Sequence, residues 1–320
     1  MIQIHRYDPA VDEPRLLELW DGSFGGRIDG TNWPLTLSWL RDVALTGENN
    51  PDHLLADIEG QAAGFALIQV DKNNPPRGSL LALAVHPNYR GRGVGRILHH
   101  AALERLRAKG VEQVQLGAGA FSYFWPGVPI DLPGAWAFFQ ALGWSEAERS
   151  YDLIRSLDDY QTPAWVWERV RGLGVDFVTA DEAKLERAVV DFVAVEEPEW
   201  KAYFAQAALE ERGQDILLAC RTGGGEILGA CLLESPSQRW ALRLRQPVRA
   251  PGCILTAQAA QGQGIGMALT ARATEILQAR GCRTSFLGWT WLVDWYGKLG
   301  YTIWQEYIMS WKDLKESDPR

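Results

Sequence analysis

Two six-residue stretches have the composition of a phosphate cradle: RGRGVG, Arg90 to Gly95, and QGQGIG, Gln261 to Gly266. Each precedes a helix-like run. A helix N-terminus offers N–H groups without intrahelical partners and a partial positive charge, which together bind phosphate oxygens. Glycine lets the backbone approach closely and adopt positive φ. In the first stretch Gly91, Gly93 and Gly95 fill that role around Val94, and Arg90, Arg92 and the following Arg96 add charge. In the second Gly262, Gly264 and Gly266 fill it around Ile265, with Gln261 and Gln263 as neutral donors. Glycines that serve only a tight turn are the plain alternative at both loops. Neither loop has the G-x-G-x-x-G spacing of a dinucleotide site.

The elements that must position these loops occur twice. LLADIEGQAAGFALIQV (Leu54 to Val70) and LLACRTGGGEILGACLLES (Leu217 to Ser235) each read as strand, polar Gly-containing turn, strand. Each is followed by an apolar strand, the Gly-rich loop, a helix of about four turns and a glycine suited to a helix C-cap. Short strands follow, VEQVQLGAG and CRTSFLGW, then short helices ending Leu-Gly-aromatic, AWAFFQALGW and VDWYGKLGY, and final strands SYDLIRSL and YIMSWKDL. The offset is 171 at the loops (90 to 261) and 157 at the Leu-Gly-aromatic ends (143 to 300). The difference falls in GAFSYFWPGVPIDLPG (Gly119 to Gly134), an aromatic, Pro-rich insertion in the first half alone. Long loops of this kind are often functional. The chain thus reads as a tandem duplication. Its halves are expected at residues 1–160 and 176–320, joined by a linker at 161–175.

The order strand, R/Q-x-x-G-x-G/A loop, helix, strand, then an FY-x-x-LGF-like helix resembles the GCN5-related N-acetyltransferase (GNAT) superfamily. AVHPNYRGRGVG and FFQALGW carry the likeness in the first half, QGQGIG and WYGKLGY in the second. The resemblance covers nearly the whole chain and is similar to two-domain members. It implies an α+β fold of two tandem GNAT-like domains, each a central mixed, mostly antiparallel sheet flanked by helices. It also implies acetyl-CoA as cosubstrate, its pyrophosphate on the Gly loops with Arg90 and Gln261 at the R/Q position. Backbone N–H groups around Ala84 and Val85, or Leu255 and Thr256, would polarise the thioester carbonyl. The proton for the departing thiolate comes, by resemblance, from the tyrosine of the FY motif. Tyr296 stands there in the second copy and Phe139 in the first, and a phenyl ring donates no proton. Catalysis is therefore expected in the second copy with Tyr296 as general acid, although the charge-rich loop belongs to the first, where Tyr123 is the other candidate acid. For the general base, Glu196, Glu197, Glu199 and Asp294 are candidates, and a positioned water could substitute. The expected activity is transfer of an acetyl group to the primary amine of a small molecule; the alternative is a non-catalytic acyl-CoA-binding sensor or scaffold.

Composition fits these expectations. At 320 residues with 47% hydrophobic and 22% charged, the chain accommodates two cores. The formal charge of −8 supplies no field for nucleic acid or anionic membranes. No apolar run reaches 18 residues and the first residues are no signal peptide, so the cytoplasm is expected. Cys220, Cys231, Cys253 and Cys282 include no C-x-x-C pair and read as buried thiols. His5, His53, His86, His99 and His100 have no ligand spacing, so no metal is expected. Among 15 tryptophans, Trp125, Trp289, Trp291 and Trp295 fall near the expected acceptor side, where packing and stacking on a flat ligand are both open.

Overall fold

β1 (Ile2–Arg6) is followed by Asp8, whose carboxylate accepts from the amide of Ala10, and Pro9 presets the next φ, so α1 (Pro9–Trp20) starts there. A computed structural model describes residues 1–25, 33, 35–41, 52–71, 76–117, 125–132, 134–223, 225–234, 241 and 243–314. The fold is α+β, and the chain divides into two units: residues 1–151 with 305–320, and residues 152–304.

In the first unit, the short α2 (Leu37–Leu40) precedes a hairpin of β2 (Leu54–Ile58) and β3 (Gln61–Val70). Glu59 and Gly60 join the strands at φ of 53° and 78°, the two-residue turn whose twist matches flanking strands. β4 (Arg77–Val85), α3 (Val94–Ala108), β5 (Gln113–Leu116), β6 (Val128–Pro129) and α4 (Ala135–Gln140) follow, and β7 (Glu148–Ser156) begins in this unit and ends in the second. The sheet runs β1-β2-β3-β4-β5, antiparallel until β5, which pairs parallel to β4 from Arg77↔Gln113 to Leu80↔Leu116. A parallel pair needs a long crossover, and α3 supplies it. Leu98, Ala102, Leu103 and Leu106 on one face of α3 bury against Leu54, Ala56, Ala66 and Leu80 of the sheet. Pairing with β5 stops at Leu80, yet β4 continues to Val85, so the two strands part at the end that leads to the Gly loop. The register of β3 against β4 also shifts there, between Leu67 and Ile68, leaving Leu81 as the extra residue of a bulge.

The second unit contains α5 (Ala164–Val170), β8 (Val175–Thr179), α6 (Ala180–Ala183), α7 (Glu186–Glu196), α8 (Lys201–Leu209), β9 (Ile216–Arg221) and β10 (Ile227–Leu233). β11 (Val248–Arg249), β12 (Pro251–Thr256), α9 (Ile265–Ala279), β13 (Thr284–Thr290) and α10 (Val293–Gly297) complete it. Residues 161–175, expected to link the halves, contain α5, which packs on α9. β8, β9, β10 and β12 form an antiparallel sheet in the order β12-β10-β9-β8. One apolar cluster packs α9 against it through Ile265, Leu269, Ala273 and Leu277. A second packs α7 and α8 through Val189, Val193 and Phe204. The divergence seen in the first unit recurs. β11 pairs parallel to β13 at Val248↔Thr284 and Arg249↔Ser285, after which β12 joins a different sheet. A register shift between Ala230 and Leu232 marks a bulge, and Cys253 lies in it at φ 48°.

β14 (Thr302–Met309) and β15 (Trp311–Asp313) bring the chain back to the first unit. The closing strand, expected to finish the second copy, instead pairs antiparallel with β5 of the first, from Trp311↔Gln115 to Asp313↔Gln113. β5 has β4 on one side only, and β15 satisfies the N–H and C=O groups on its other edge. Leu314 then enters the first unit's core.

Candidate functional site

The two Gly loops are near copies in three dimensions. α3 and α9 are each 15 residues long and are N-capped by left-handed glycines, Gly93 at φ 85° and Gly264 at φ 94°. Gly91 and Gly262 also take positive φ, 75° and 78°. The first intrahelical bonds run from Ile97 N to Gly93 O and from Ala268 N to Gly264 O. The amides of Val94, Gly95 and Arg96, and of Ile265, Gly266 and Met267, therefore point out of the helix end. The residue at the R/Q position does the same work in both copies. Arg90 Nε donates to Val85 O at 3.0 Å, and Gln261 Nε2 donates to Thr256 O at 3.3 Å. Either side chain ties the loop to the carbonyl that ends the preceding strand.

The last glycine of each loop allows a close approach. A Cβ on Gly95 would lie 3.2 Å from the Phe138 ring, and one on Gly266 would lie 2.9 Å from Thr256 Oγ1 and 3.8 Å from the Trp295 ring. Phe138 and Trp295 are equivalent positions in the repeat, so Phe139 and Tyr296 are as well. Tyr296 is buried, with the Trp295 and Tyr301 rings packed edge-on at 4.7 and 6.1 Å. Burial holds its phenol well above the ordinary value, reinforced by the neighbouring Cys231. Phe139 packs against His99 and Trp144.

Strand alternation divides the predicted carbonyl-polarising amides. Ala257 N bonds Leu228 O at 2.9 Å, so two residues back the amide of Leu255 also faces β10, and that of Thr256 faces away. His86 N bonds Ala63 O, so by the same rule Ala84 faces β3 and Val85 faces away. In each expected pair the geometry leaves one amide, Thr256 or Val85, directed to the side where the strands part.

At the parting itself the two units differ. In the first, Trp125 Nε1 donates to the bulge carbonyl of Leu81 at 2.8 Å. Trp20, Phe24 and Trp33 surround its ring at centroid distances of 5.7, 5.6 and 5.2 Å. Trp20, Trp33 and Trp125 are at most 4% exposed. Trp125 is thus a wall of the first unit's core rather than an open stacking surface. In the second unit the carboxylate of Glu234 occupies the space that a Cβ on Gly252 would take. Glu234 is exposed as a residue, and the protein packed around its carboxyl raises its pKa by desolvation. Cys253 is pushed up to about 12 by burial, then by the charges of Glu234 and Glu197, and burial likewise raises Cys231. Tyr296, Cys231, Cys253 and Glu234 thus gather beside the β12 bulge.

Sequence reasoning did not select Glu234. It sits at the end of an apolar strand beside Ser235, and its only sequence signal is a carboxylate in an otherwise buried run. The selected carboxylates are placed differently. Glu196 Oε2 accepts from Gln258 N at 2.9 Å, Glu199 and Asp294 are exposed, and Glu197 is half-buried near Cys253. Tyr123 and the first part of the insertion, residues 119–124, lie outside the described residues. Trp289 takes φ 51° at the end of β13, its amide held by Asp152 Oδ1 at 3.1 Å, and Trp291 is 71% exposed. Among the described residues no three His, Cys, Asp or Glu side chains converge as a metal site, and no helix is long and apolar enough to cross a membrane.

Two tandem units, each with parted strands, a glycine loop and a capped helix, define an acetyltransferase-type fold. The chain belongs to the acetyltransferase (GNAT) family, whose model matches residues 14–144 and 183–301. It is 31% identical over 122 residues to a mycothiol acetyltransferase of Stackebrandtia nassauensis, and 29% identical over 120 residues to one of Thermobispora bispora. These matches span 36% of this chain and 38% and 40% of those proteins, well under two thirds of their length. Among solved structures, it resembles a GCN5-related glucosamine N-acetyltransferase region of a fungal multi-domain GH3 β-N-acetylglucosaminidase: TM-score 0.83, 28% identity, over 98% of this chain and 38% of that one. A tandem GNAT protein from the clavulanic acid biosynthesis pathway matches over 99% of this chain and 100% of its own, with TM-score 0.65 and 16% identity, a likeness of fold.

Proposed function

We propose that this protein is an acetyl-CoA-dependent N-acetyltransferase acting on the primary amine of a small molecule, with the chemistry in the second unit. The observation that carries this is the contrast at the strand bulge. The second unit gathers a phenol, Tyr296, and a carboxylate, Glu234, beside the bulge. The first unit has a buried tryptophan on the bulge carbonyl and Phe139 in place of the phenol. The Gly262–Gly266 loop holds the pyrophosphate on the N-terminus of α9. The amine nitrogen attacks the thioester carbonyl, and the oxyanion is stabilised by the Thr256 amide. Glu234 takes the proton from the amine. The carbon–sulfur bond breaks, and the thiolate takes the Tyr296 hydroxyl proton, which solvent restores. A carboxylate with a raised pKa is a better base near neutrality than an ordinary one. The likeness to a glucosamine N-acetyltransferase region points to amino-sugar amines as first acceptors to try. Trp125 favours a non-catalytic role for the first unit, as a scaffold or a binder of the nucleotide end of CoA. We place the activity in the cytoplasm.

The test is CoA release from acetyl-CoA against a panel of amines that includes glucosamine and its thiol-bearing conjugates. Turnover with one acceptor class, lost on Tyr296→Phe or Glu234→Gln and kept on Phe139→Leu, is the expected result. Tight acetyl-CoA binding without acetylation across the panel would establish the sensor alternative instead.

A further inference from the structure

The second loop carries no charge of its own in sequence, yet it is not without charge in the fold. Arg169, near the end of α5, lies across it. Its Nη2 donates to Gly262 O at 2.9 Å. Its Cδ, Cγ and Nε lie 2.7, 2.8 and 2.9 Å from the place a Cβ on Gly264 would occupy. The guanidinium is exposed on one side. α5 is anchored so that it delivers this residue. Val166 and Val170 are buried, Trp167 packs edge-on to Phe177 at 5.9 Å, and Thr162 Oγ1 donates to Glu275 of α9 at 2.6 Å. Gln278 of α9 donates to the carbonyls of Leu157 and Tyr160 at 2.6 and 3.2 Å, fixing the segment before α5. Among the described residues the first loop has no such visitor: a Cβ on Gly91 or Gly93 would meet none of them within 4 Å. There the charge is local, from Arg90 and Arg92, and Arg92 rests over the Tyr89 ring at 5.5 Å.

We propose that Arg169 is the phosphate-binding cation of the second loop, replacing from α5 the arginines that QGQGIG lacks. This rests on the reading that the second loop holds the pyrophosphate of acetyl-CoA. The guanidinium already sits within hydrogen-bond distance of the cradle backbone. A planar fork with five donors can keep one bond to Gly262 O and offer others to phosphate oxygens. Its stem covers Gly264, which explains why no side chain fits there beyond the positive φ.

The experiment uses the full chain. Amide hydrogen exchange across residues 261–268 is followed while CoA is titrated, which reads the second loop separately from the first. Acetyl-pantetheine, which lacks the phosphates, is the companion ligand. Arg169→Ala is expected to raise the CoA concentration for half-maximal protection about 10- to 100-fold, the range for losing a charged hydrogen bond. Arg169→Lys recovers most of that loss, and the response to acetyl-pantetheine stays the same in all three proteins. If Arg169→Ala is protected at the wild-type CoA concentration, or at a lower one, Arg169 is a bystander or a plug and the inference is overturned, while the loop keeps its role. If CoA protects the first loop and never the second in the wild type, the underlying reading falls and takes the inference with it.

Discussion

Tyr296→Phe removes one oxygen from a packed ring and isolates the proton it would donate. In water a phenol (pKa about 10) protonating a thiolate (about 8.5) runs uphill by roughly 2 kcal/mol. Burial raises Tyr296 further, which by itself weakens it as an acid. The pocket acts on sulfur in the same direction, however. The thiol of Cys253 beside the bulge is pushed up to about 12, and Cys231 is raised too. A CoA thiolate released there meets the same desolvation, so its appetite for a proton rises with that of the phenolate and the gap stays crossable. Because its pKa is raised, Tyr296 is fully protonated throughout the working pH range and contributes no alkaline limb to the rate profile. Loss of a positioned general acid costs about 100- to 10,000-fold in rate. The assay measures kcat for thiol release from acetyl-CoA and from an acetyl thioester of an aromatic thiol, whose more acidic sulfur leaves unaided. Tyr296→Phe is expected to lose that factor with acetyl-CoA and less than about tenfold with the aromatic donor. A full rate with acetyl-CoA, or equal losses with both donors, refutes the assignment.

Glu234→Gln tests the base by two measurements. Wild-type activity is expected to rise with pH as Glu234 deprotonates, and the variant loses both the rate and that limb. Its stability follows the opposite sign: a carboxyl whose folded pKa is raised binds its proton more tightly in the native state, so stability falls as pH climbs from the unfolded value, about 4.3, through the raised one. Thermal melts should therefore show Glu234→Gln above wild type at pH 8 and level with it at pH 4. Gly264→Ala forces a methyl group onto Arg169 at φ 94°, and is expected to cost about 1–2 kcal/mol in denaturant unfolding from the backbone alone. It should also weaken CoA binding; Gly91→Ala, with open space around it, pays only the backbone cost. Trp125→Phe strands the Leu81 carbonyl and should destabilise by about 1–3 kcal/mol, with kcat unchanged if the first unit does no chemistry.

The parts of the fold that were legible in the sequence are those fixed by local rules. Alternating glycines mark left-handed caps at Gly93 and Gly264, terminal glycines close both long helices at Gly110 and Gly281, and the repeat offsets pair Phe139 with Tyr296. What stayed hidden depends on contacts distant in sequence. The last strand carries no mark of its partner, because β15 would pair as well with any open edge, and only the fold offers it β5. Glu234 is one acid at the end of an apolar strand, and what distinguishes it is Gly252 across the sheet, whose missing side chain admits the carboxylate. Arg169 lies 93 residues from Gly262 in a stretch that reads as a linker.

Two contacts, Arg169 on Gly262 and Trp125 on Leu81, account on the proposed reading for the discord between a charge-rich loop on one copy and a phenol on the other. Charge on a loop is not a property of its six residues, since an arginine from any element that packs beside the helix end serves equally. If the second loop binds phosphate as proposed, α5 supplies the cation that QGQGIG lacks, and Gln261 keeps the bond to the strand-ending carbonyl that Arg90 makes in the first copy. The first copy kept its arginines but not the space beyond them. On the proposed reading, with Trp125 bonded to Leu81 O and packed with Trp20, Phe24 and Trp33, a phenol at position 139 would have no reacting sulfur to protonate, and a phenyl ring packs there without a hydroxyl to satisfy. On this view Phe139 is a consequence of closing the first cleft, and Phe139→Tyr alone should give the first unit no activity, whereas any rate it gained above the Tyr296→Phe background would show that Trp125 leaves the cleft passable.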